Sequence, residues 1–400
     1  MTGCGTENKS GGLEISKGVA FGEKDYSKIV SPANELGFKL LKEVEADENN
    51  NIFISPTSLF MALSMIYNGA DGVTKDEIAG VLHSEGIDVE ELNKANASMI
   101  SVLNKDVDDI QLNIANSIWL NNKFTFQEDF EKNNKDYFNA EITEIDIADS
   151  NSAEQINNWV KEATKDKIEG IVDSPLDANL LAVLINAIYF KGSWTNEFDK
   201  NETTDRPFQL LDGSVKNVPL MAMKEEFSYF ENEKFQAITL PYGDGEMSMK
   251  VFLPKENSSL EEFKTVLTSE NWATWQKEFE VEEGTILLPK FQLEFEVSLN
   301  EALKSLGMTS AFDGNANFTK MINEDEQVSI TNVKQKTFID VGEEGTEAAA
   351  VTGIEMGIES ALIIEPFYME VNRPFFFTIT DDETDTILFM GSISTPEQAE

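Results

Sequence analysis

The chain reads EEGTEAAAVTGIEMGIES from Glu343 to Ser360, a stretch with five glutamates and three glycines. Counted in steps of two from Thr346, one set of positions carries no charge, whereas the alternate set carries every carboxylate from Glu347 onward. Because a β-strand points alternate side chains to opposite faces, this segment could lie in a sheet with its uncharged face buried. Its glycines, with small residues between them, weaken it as a permanent strand. The pattern therefore predicts a segment that is able to join a sheet.

This stretch resembles the hinge and the reactive-centre loop of the serpins, a family of serine protease inhibitors. The resemblance assigns the loop to about 343–366 and the hinge to Glu343, Glu344, Gly345, Thr346, Glu347, Ala348, Ala349 and Ala350. We call residues 343–350 the hinge throughout. Taken alone, the stretch also fits a flexible acidic surface loop, since runs of Glu, Ala and Gly are common. The rest of the chain has to distinguish the two interpretations.

Composition sets limits on the partners of this protein. The 400 residues include 31 basic and 73 acidic side chains, which gives a formal net charge of −42. Such a surface repels nucleic acid, anionic membranes and heparin-like polyanions. A hydrophobic content of 41%, with 27 phenylalanines, is ample for a large core. No linker or repeat divides the chain, so we expect a flexible N-terminal tether over 1–24 and a single domain over 25–400.

Cys4 is the only cysteine, so no intramolecular disulfide supports the fold. The opening Met1-Thr2-Gly3-Cys4 resembles the end of a bacterial lipoprotein signal, although the apolar stretch of such a signal is absent. Either the sequence begins late or the match is chance. We expect an extracellular or cell-surface protein, with a lipid anchor at Cys4 as one alternative and membrane contact only in that case. No apolar run reaches the roughly 18 residues of a transmembrane helix.

The histidine content argues against catalysis. His83 is the only histidine, and its polar Leu-His-Ser-Glu context predicts a surface residue. A Ser-His-Asp triad needs its histidine in a pocket, and the chain has no Gly-x-Ser-x-Gly motif. Without further His or Cys partners no metal site is expected, and no cofactor motif is present. The sequence therefore predicts a protein that is not an enzyme.

Periodicity predicts the main helices and strands. Ser55 is placed as an N-cap with Pro56 at the first helical position, and capping boxes are predicted for Thr74/Glu77 and Ser152/Gln155. The almost continuous apolar run at 180–190 predicts a strand buried on both faces, in which the amide of Asn186 must be hydrogen-bonded. Further helices are predicted at 31–46, 56–69, 88–104, 127–138, 151–165 and 298–308, and further strands at 112–120, 140–148, 204–255, 328–341 and 387–391.

The serpin resemblance extends over roughly residues 25–397. It places Ser55, Ser58, Asn186 and Gln335 in the family's "shutter", where the central sheet parts, and Trp194 in its "breach" at the top of that sheet. In serpins the shutter asparagine often bonds to a histidine at the position where this chain has Gln335. The glutamine puts the corresponding hydrogen bond with Asn186 in doubt. The segment 369–379 fits the family's C-terminal signature. The chain is thus identified as a member of the serpin family, of the inhibitory, prokaryotic type.

The resemblance implies an α+β fold with three β-sheets, about eight or nine helices and an exposed reactive-centre loop. It also implies a monomer that traps a target serine protease as a covalent acyl-enzyme, while the cleaved loop (343–359) inserts into the central sheet. The implied scissile bond is Glu359-Ser360, with Ile358-Glu359 or Met356-Gly357 as alternatives. The target would be a glutamyl-specific or an elastase-like protease. The competing interpretation is a non-inhibitory serpin that acts as a carrier or chaperone.

Overall fold

The computed structural model describes residues 15–16, 18–104, 109–177, 179–346 and 366–398. Cys4, hinge residues Glu347 to Ala350 and the implied scissile pair Glu359 and Ser360 lie outside these residues. The described chain is an α+β protein with nine α-helices. They are α1 (Val30–Glu43), α2 (Pro56–Tyr67), α3 (Gly72–Val81), α4 (Val89–Leu103), α5 (Glu128–Phe138), α6 (Ser152–Ala163), α7 (Leu260–Val266), α8 (Ser269–Trp275) and α9 (Asn300–Ser305).

The strands alternate with these helices along the chain. They are β1 (Ile52–Ile54), β2 (Ile110–Asn121), β3 (Glu141–Ile145), β4 (Ala182–Ser193), β5 (Thr204–Gln209), β6 (Val215–Glu231), β7 (Phe235–Tyr242), β8 (Met247–Pro254), β9 (Glu280–Pro289), β10 (Phe291–Ser298), β11 (Ile330–Gly342), β12 (Gly345–Thr346), β13 (Phe367–Glu370), β14 (Phe375–Asp381) and β15 (Thr386–Ile393). None of the described helices is long and apolar enough to cross a membrane.

The strands form two hydrogen-bonded networks where three sheets were expected. One sheet has six strands in the order β10-β11-β12-β4-β2-β3, and the other has nine, β1-β15-β14-β8-β7-β6-β9-β13 with β5 on β6. The number differs because β6 is 17 residues long. It pairs with β5 at its start, with β9 along its middle and with β7 at its end, so it joins groups of strands that shorter elements would leave separate.

Strand β4 is buried on both faces, as its apolar sequence predicts. Residues of one parity, such as Leu184 and Ile188, belong to the main core that α2 helps to form. Residues of the other parity, such as Ile185 and Ala187, pack in a second cluster with Ile156 of α6. The central strand is therefore sandwiched between α2 and α6, and any strand that joined the sheet beside it would be enclosed in the same way.

The predicted cap of α2 is confirmed, whereas both predicted capping boxes are wrong. The Ser58 N–H donates to Ser55 Oγ at 3.3 Å, and Pro56 is the first helical residue. Thr74 lies inside α3, whose N-cap is Asp71, and its hydroxyl contacts Ser310 Oγ at 2.9 Å. The Thr74 side chain therefore contacts a residue far along the chain instead of capping the helix.

Ser152 likewise is the first residue of α6 rather than its cap, and its hydroxyl donates to the Asp146 carbonyl at 2.7 Å. His83 is half-buried rather than on the surface, with Nε2 2.9 Å from Lys39 Nζ. Burial and the Lys39 ammonium together hold the pKa of His83 below its ordinary value. These differences arise from tertiary contacts that no short sequence window contains.

Candidate functional site

The hinge begins inside the six-stranded sheet. Strand β11 runs parallel to β4 from Ile330 to Phe338, and β12 then lies between the upper ends of the two strands. Gly345 pairs with Ser193 of β4 and with Gly342 of β11, both antiparallel. The start of the hinge therefore occupies the gap where β4 and β11 separate.

Both the backbone conformation and the close neighbours of residue 345 require a glycine there. Its φ is +146°, and a Cβ added there would lie 2.2 Å from the carbonyl oxygen of Gly192. Only glycine fits both conditions without strain. Thr346, the next residue, is fully buried. Its hydroxyl lies 2.7 Å from the hydroxyl of Tyr242, on the side of the sheet that faces the main core.

An ion pair fixes the first residue of the hinge. The Glu343 side chain is only 8% exposed, and its carboxylate lies 2.8 Å from Lys290 Nζ. The Thr203 hydroxyl donates to the same carboxylate at 2.8 Å. Burial opposes ionisation of Glu343, but the hydrogen bonds from Lys290 and Thr203 outweigh it and hold the pKa below its ordinary value. Glu344, which follows, pairs with Lys200.

Trp194 connects the hinge to the core, at the place where the resemblance put the breach. Its ring stacks on Tyr242 with a centroid separation of 4.4 Å and an interplanar angle of 11°. Its indole N–H donates to the Gly342 carbonyl at 2.9 Å, and its backbone N–H donates to the Glu344 carbonyl at 3.0 Å. Burial raises the pKa of Tyr242, so its hydroxyl is neutral and remains available to Thr346.

The four residues assigned to the shutter lie together, and Asn116 of β2 joins them. We call these five residues the shutter cluster: Ser55, Ser58, Asn116, Asn186 and Gln335. The Asn186 amide donates to Asn116 Oδ1 at 2.7 Å and to Ser58 Oγ. Gln335 Nε2 donates to Asn186 Oδ1 at 2.6 Å, so the glutamine makes the bond that the missing histidine had put in doubt.

Gln335 also bridges the sheet to the helix beneath it. Its side-chain oxygen accepts from the Ser55 N–H at 2.9 Å, while its Nε2 donates to the Ser55 carbonyl at 3.0 Å. Asn186 and Gln335 are register partners on β4 and β11, six residues below the position of β12 on β4. The hinge contacts and the shutter cluster therefore lie along one seam between these two strands. Below β12 the seam is closed by the parallel pairing of β4 and β11, with the side chains of the shutter cluster bonded across it.

Sequence reasoning missed Tyr242, Lys290, Thr203 and Asn116. Each contacts a residue at least 53 positions away in the chain, for example Tyr242 with Thr346 and Asn116 with Asn186. The one local signal was the Leu-Leu-Pro-Lys-Phe segment at 287–291, which includes Lys290. No group of three or more His, Cys, Asp or Glu side chains in the described ranges could hold a metal ion.

Comparison with known proteins identifies the family of this chain. The family described as Serpin (serine protease inhibitor) matches residues 31–396. Iripin-2 from Ixodes ricinus is 32% identical over 384 residues, which cover 93% of this chain and 94% of that protein. An uncharacterized serpin-like protein from Thermococcus kodakarensis is 34% identical over 388 residues, or 96% of this chain and 90% of that protein.

Solved structures agree with the sequence comparison. The thermophilic serpin tengpin in its native state has a TM-score of 0.85 at 31% identity, with 96% of this chain and 97% of that chain covered. Human thyroxine-binding globulin in complex with thyroxine has a TM-score of 0.84 at 26% identity, with 94% of this chain and 100% of that chain covered. The chain belongs to the serpin family. The predicted α+β serpin fold is confirmed, and the family is one of protease inhibitors rather than of enzymes.

Proposed function

We propose that this protein inhibits a serine protease as a suicide substrate. Cleavage of the loop leaves the protease bound as an acyl-enzyme, and residues 343–359 then insert between β4 and β11. Serpin loop insertion is itself a standard instance of a segment added to a sheet. The single observation that carries the proposal for this chain is β12, because Gly345 and Thr346 already pair with both strands of the seam.

The register of β12 supports the rest of the insertion. Continued one residue at a time, it brings Thr352 opposite Asn186 on β4 and Gln335 on β11, two residues that are now each other's partners. Thr346 faces the core, so the residues of its parity would face the core as well. They are Thr346, Ala348, Ala350, Thr352, Ile354, Met356 and Ile358, none of them charged. A buried, unpaired carboxylate there would cost several kcal/mol.

The proposed target is a glutamyl-specific or an elastase-like serine protease. Counting along the usual serpin loop from Gly345 gives Glu359-Ser360 as the scissile bond, and a glutamate there suits a protease with a basic or tolerant pocket. Ile358-Glu359 and Met356-Gly357 remain the alternatives, and the last of these suits an elastase-like enzyme. We further propose a monomer outside the cell or at its surface, with Cys4 as the candidate lipid attachment point.

The test mixes the protein with a glutamyl-specific protease and, separately, with an elastase-like one, and resolves the products on a denaturing gel. We expect a band at the summed mass of inhibitor and protease, and a released C-terminal peptide that begins at Ser360. Thr346→Arg places a charge at a fully buried position and should convert the inhibitor into a cleaved substrate. Thr346→Ser, the matched control, keeps the hydroxyl that faces Tyr242 and should trap normally.

The second candidate is a non-inhibitory serpin that acts as a carrier or chaperone. The similarity to thyroxine-binding globulin, a serpin structure solved with thyroxine, favours keeping it. Such a protein would be cut, or left uncut, without trapping any protease. If every protease tried yields only the cleaved chain and no complex band, this second function replaces the first.

A further inference from the structure

An open pocket of about 640 Å³ lies beside the start of the hinge. Four lysines line it: Lys167, Lys191, Lys200 and Lys290. They come from the segment after α6, the end of β4, the segment after β4 and the residue that joins β9 to β10. We call this space the breach pocket. It gathers four of the 31 basic side chains of a chain whose net charge is −42.

The charges in the breach pocket are unevenly paired. Lys290 is held by Glu343, and Lys200 by Glu344. Lys167 lies over the Phe338 ring, 5.7 Å from its centroid. Lys191 is half-buried, and its side chain makes no hydrogen bond or ion pair with any residue that the structure describes. Asp340 is the one further carboxylate in the lining, so four ammonium groups face three carboxylates.

We propose that the breach pocket binds a small multivalent oxyanion of the phosphate class, held by Lys191 together with Lys167, Lys200 and Lys290. An ammonium group binds phosphate oxygens as a flexible point charge, and hydrogen bonds to charged groups are the strong ones. The pocket places several such groups around a space large enough for a di- or triphosphate. A long polyanion is not the ligand, because it would also have to lie on the strongly acidic surface around the pocket.

The site also bears on the hinge, and this part rests on the proposed function. Continuing the register of β12 by one residue brings Glu347 opposite Lys191 on β4, with Asp340 on its other side. The Lys191 ammonium would then be the cation directly opposite the Glu347 carboxylate. A bound anion and an inserting loop compete for Lys191, so the anion favours the uninserted protein and slows insertion.

Binding is tested by calorimetric titration of sodium tripolyphosphate into the uncleaved, full-length protein at fixed ionic strength. We expect saturable 1:1 binding, weakened about tenfold in Lys191→Gln, since one hydrogen bond to a charged group is lost. Lys224→Gln is the matched control, because Lys224 is 64% exposed and pairs with Glu283 outside the pocket. Lys200→Gln, also 64% exposed, is the second pocket variant should Lys191→Gln not fold. No saturable binding by the wild type, or equal binding by the pocket variants, would overturn the site.

The consequence for the hinge is tested by the rate of complex formation with the target protease. We expect tripolyphosphate to lower the rate of complex formation by the wild type and to leave the rate of Lys191→Gln unchanged. A heparin oligosaccharide of equal charge should not change the rate of either protein. Binding without any change in rate contradicts the competition at Lys191. The absence of any covalent complex, with the titration intact, counts against the proposed inhibition and leaves the anion site standing.

Discussion

Lys290 Nζ lies 2.8 Å from a carboxylate oxygen of Glu343, at the point where β11 gives way to the hinge. Glu343 is nearly enclosed, whereas Lys290 is about one-third exposed. The pair anchors the hinge through its side chain, while the Phe198 N–H holds its backbone by donating to the Glu343 carbonyl at 2.9 Å. The first residue of the hinge is therefore fixed from two directions before any cleavage.

Removal of the Lys290 ammonium should destabilise the uncleaved protein. Lys290→Gln leaves the enclosed Glu343 carboxylate with Thr203 as its remaining partner, and we expect a loss of about 1–3 kcal/mol in the free energy of unfolding. Denaturant unfolding followed by circular dichroism measures it. Lys304→Gln, which breaks the surface pair with the 86% exposed Glu301, should change stability by less than about 0.5 kcal/mol. Equal effects of the two changes would rule out a special role for the Glu343 pair.

Acid should remove the contribution of the Glu343 carboxylate to the stability of the folded protein. Its folded-state pKa lies below the ordinary 4.5, so the unfolded chain takes up the proton first as the pH falls. The stabilisation is full above about pH 4.5 and is lost as the pH falls through the lower, folded-state pKa. We expect the difference in melting temperature between the wild type and Glu343→Gln to be largest near neutrality and to shrink at low pH. A difference that grows in acid would contradict this sign.

The hydrogen bond from Trp194 to Gly342 should be separable from the stacking on Tyr242. Trp194→Phe keeps an aromatic ring against Tyr242 but removes the indole N–H, and we expect a loss of about 1 kcal/mol in the stability of the uncleaved form. Trp159→Phe makes the same change in a half-buried ring that contacts Trp119, away from the hinge. Comparable losses in the two variants would show that ring size rather than the hinge bond matters.

The register of β12 makes a prediction about Thr352. If Thr352 comes to lie between Asn186 and Gln335, its hydroxyl is placed to bond their amides, and Thr352→Val should destabilise the cleaved form by about 1–3 kcal/mol. The melting temperatures of cleaved and uncleaved protein measure this, and the uncleaved form should be unchanged. Val351→Thr is the control, since the adjacent position would face away from the core. If Val351→Thr, and not Thr352→Val, alters the cleaved form, the register is wrong by one residue.

Local motifs in the sequence predicted much of the site. The cap at Ser55, the buried strand around Asn186 and the pattern of the hinge are each contained in a few neighbouring residues, and the structure brings Ser55, Ser58, Asn186 and Gln335 together. The partners of the hinge could not be predicted in this way. Tyr242 and Lys290 reach Thr346 and Glu343 only through the pairing of distant strands.

The wrong expectations have the same physical origin. Thr74 has the sequence position of a cap, but Ser310 offers its side chain a buried partner in the folded protein. The expected three sheets form two networks because the long strand β6 pairs in turn with β5, β9 and β7 and so joins their strands into one sheet. Local preferences are worth about 1 kcal/mol, and tertiary contacts of similar strength override them.

The most direct test of loop insertion is the melting temperature of the wild-type protein before and after cleavage of the reactive-centre loop. The cleaved loop should extend β12 down the seam between β4 and β11, adding a full-length strand to the sheet. We predict a large upward shift on cleavage, and little or no shift in Thr346→Arg. A wild-type melt that cleavage leaves unchanged would contradict insertion, and with it the proposed mechanism of inhibition.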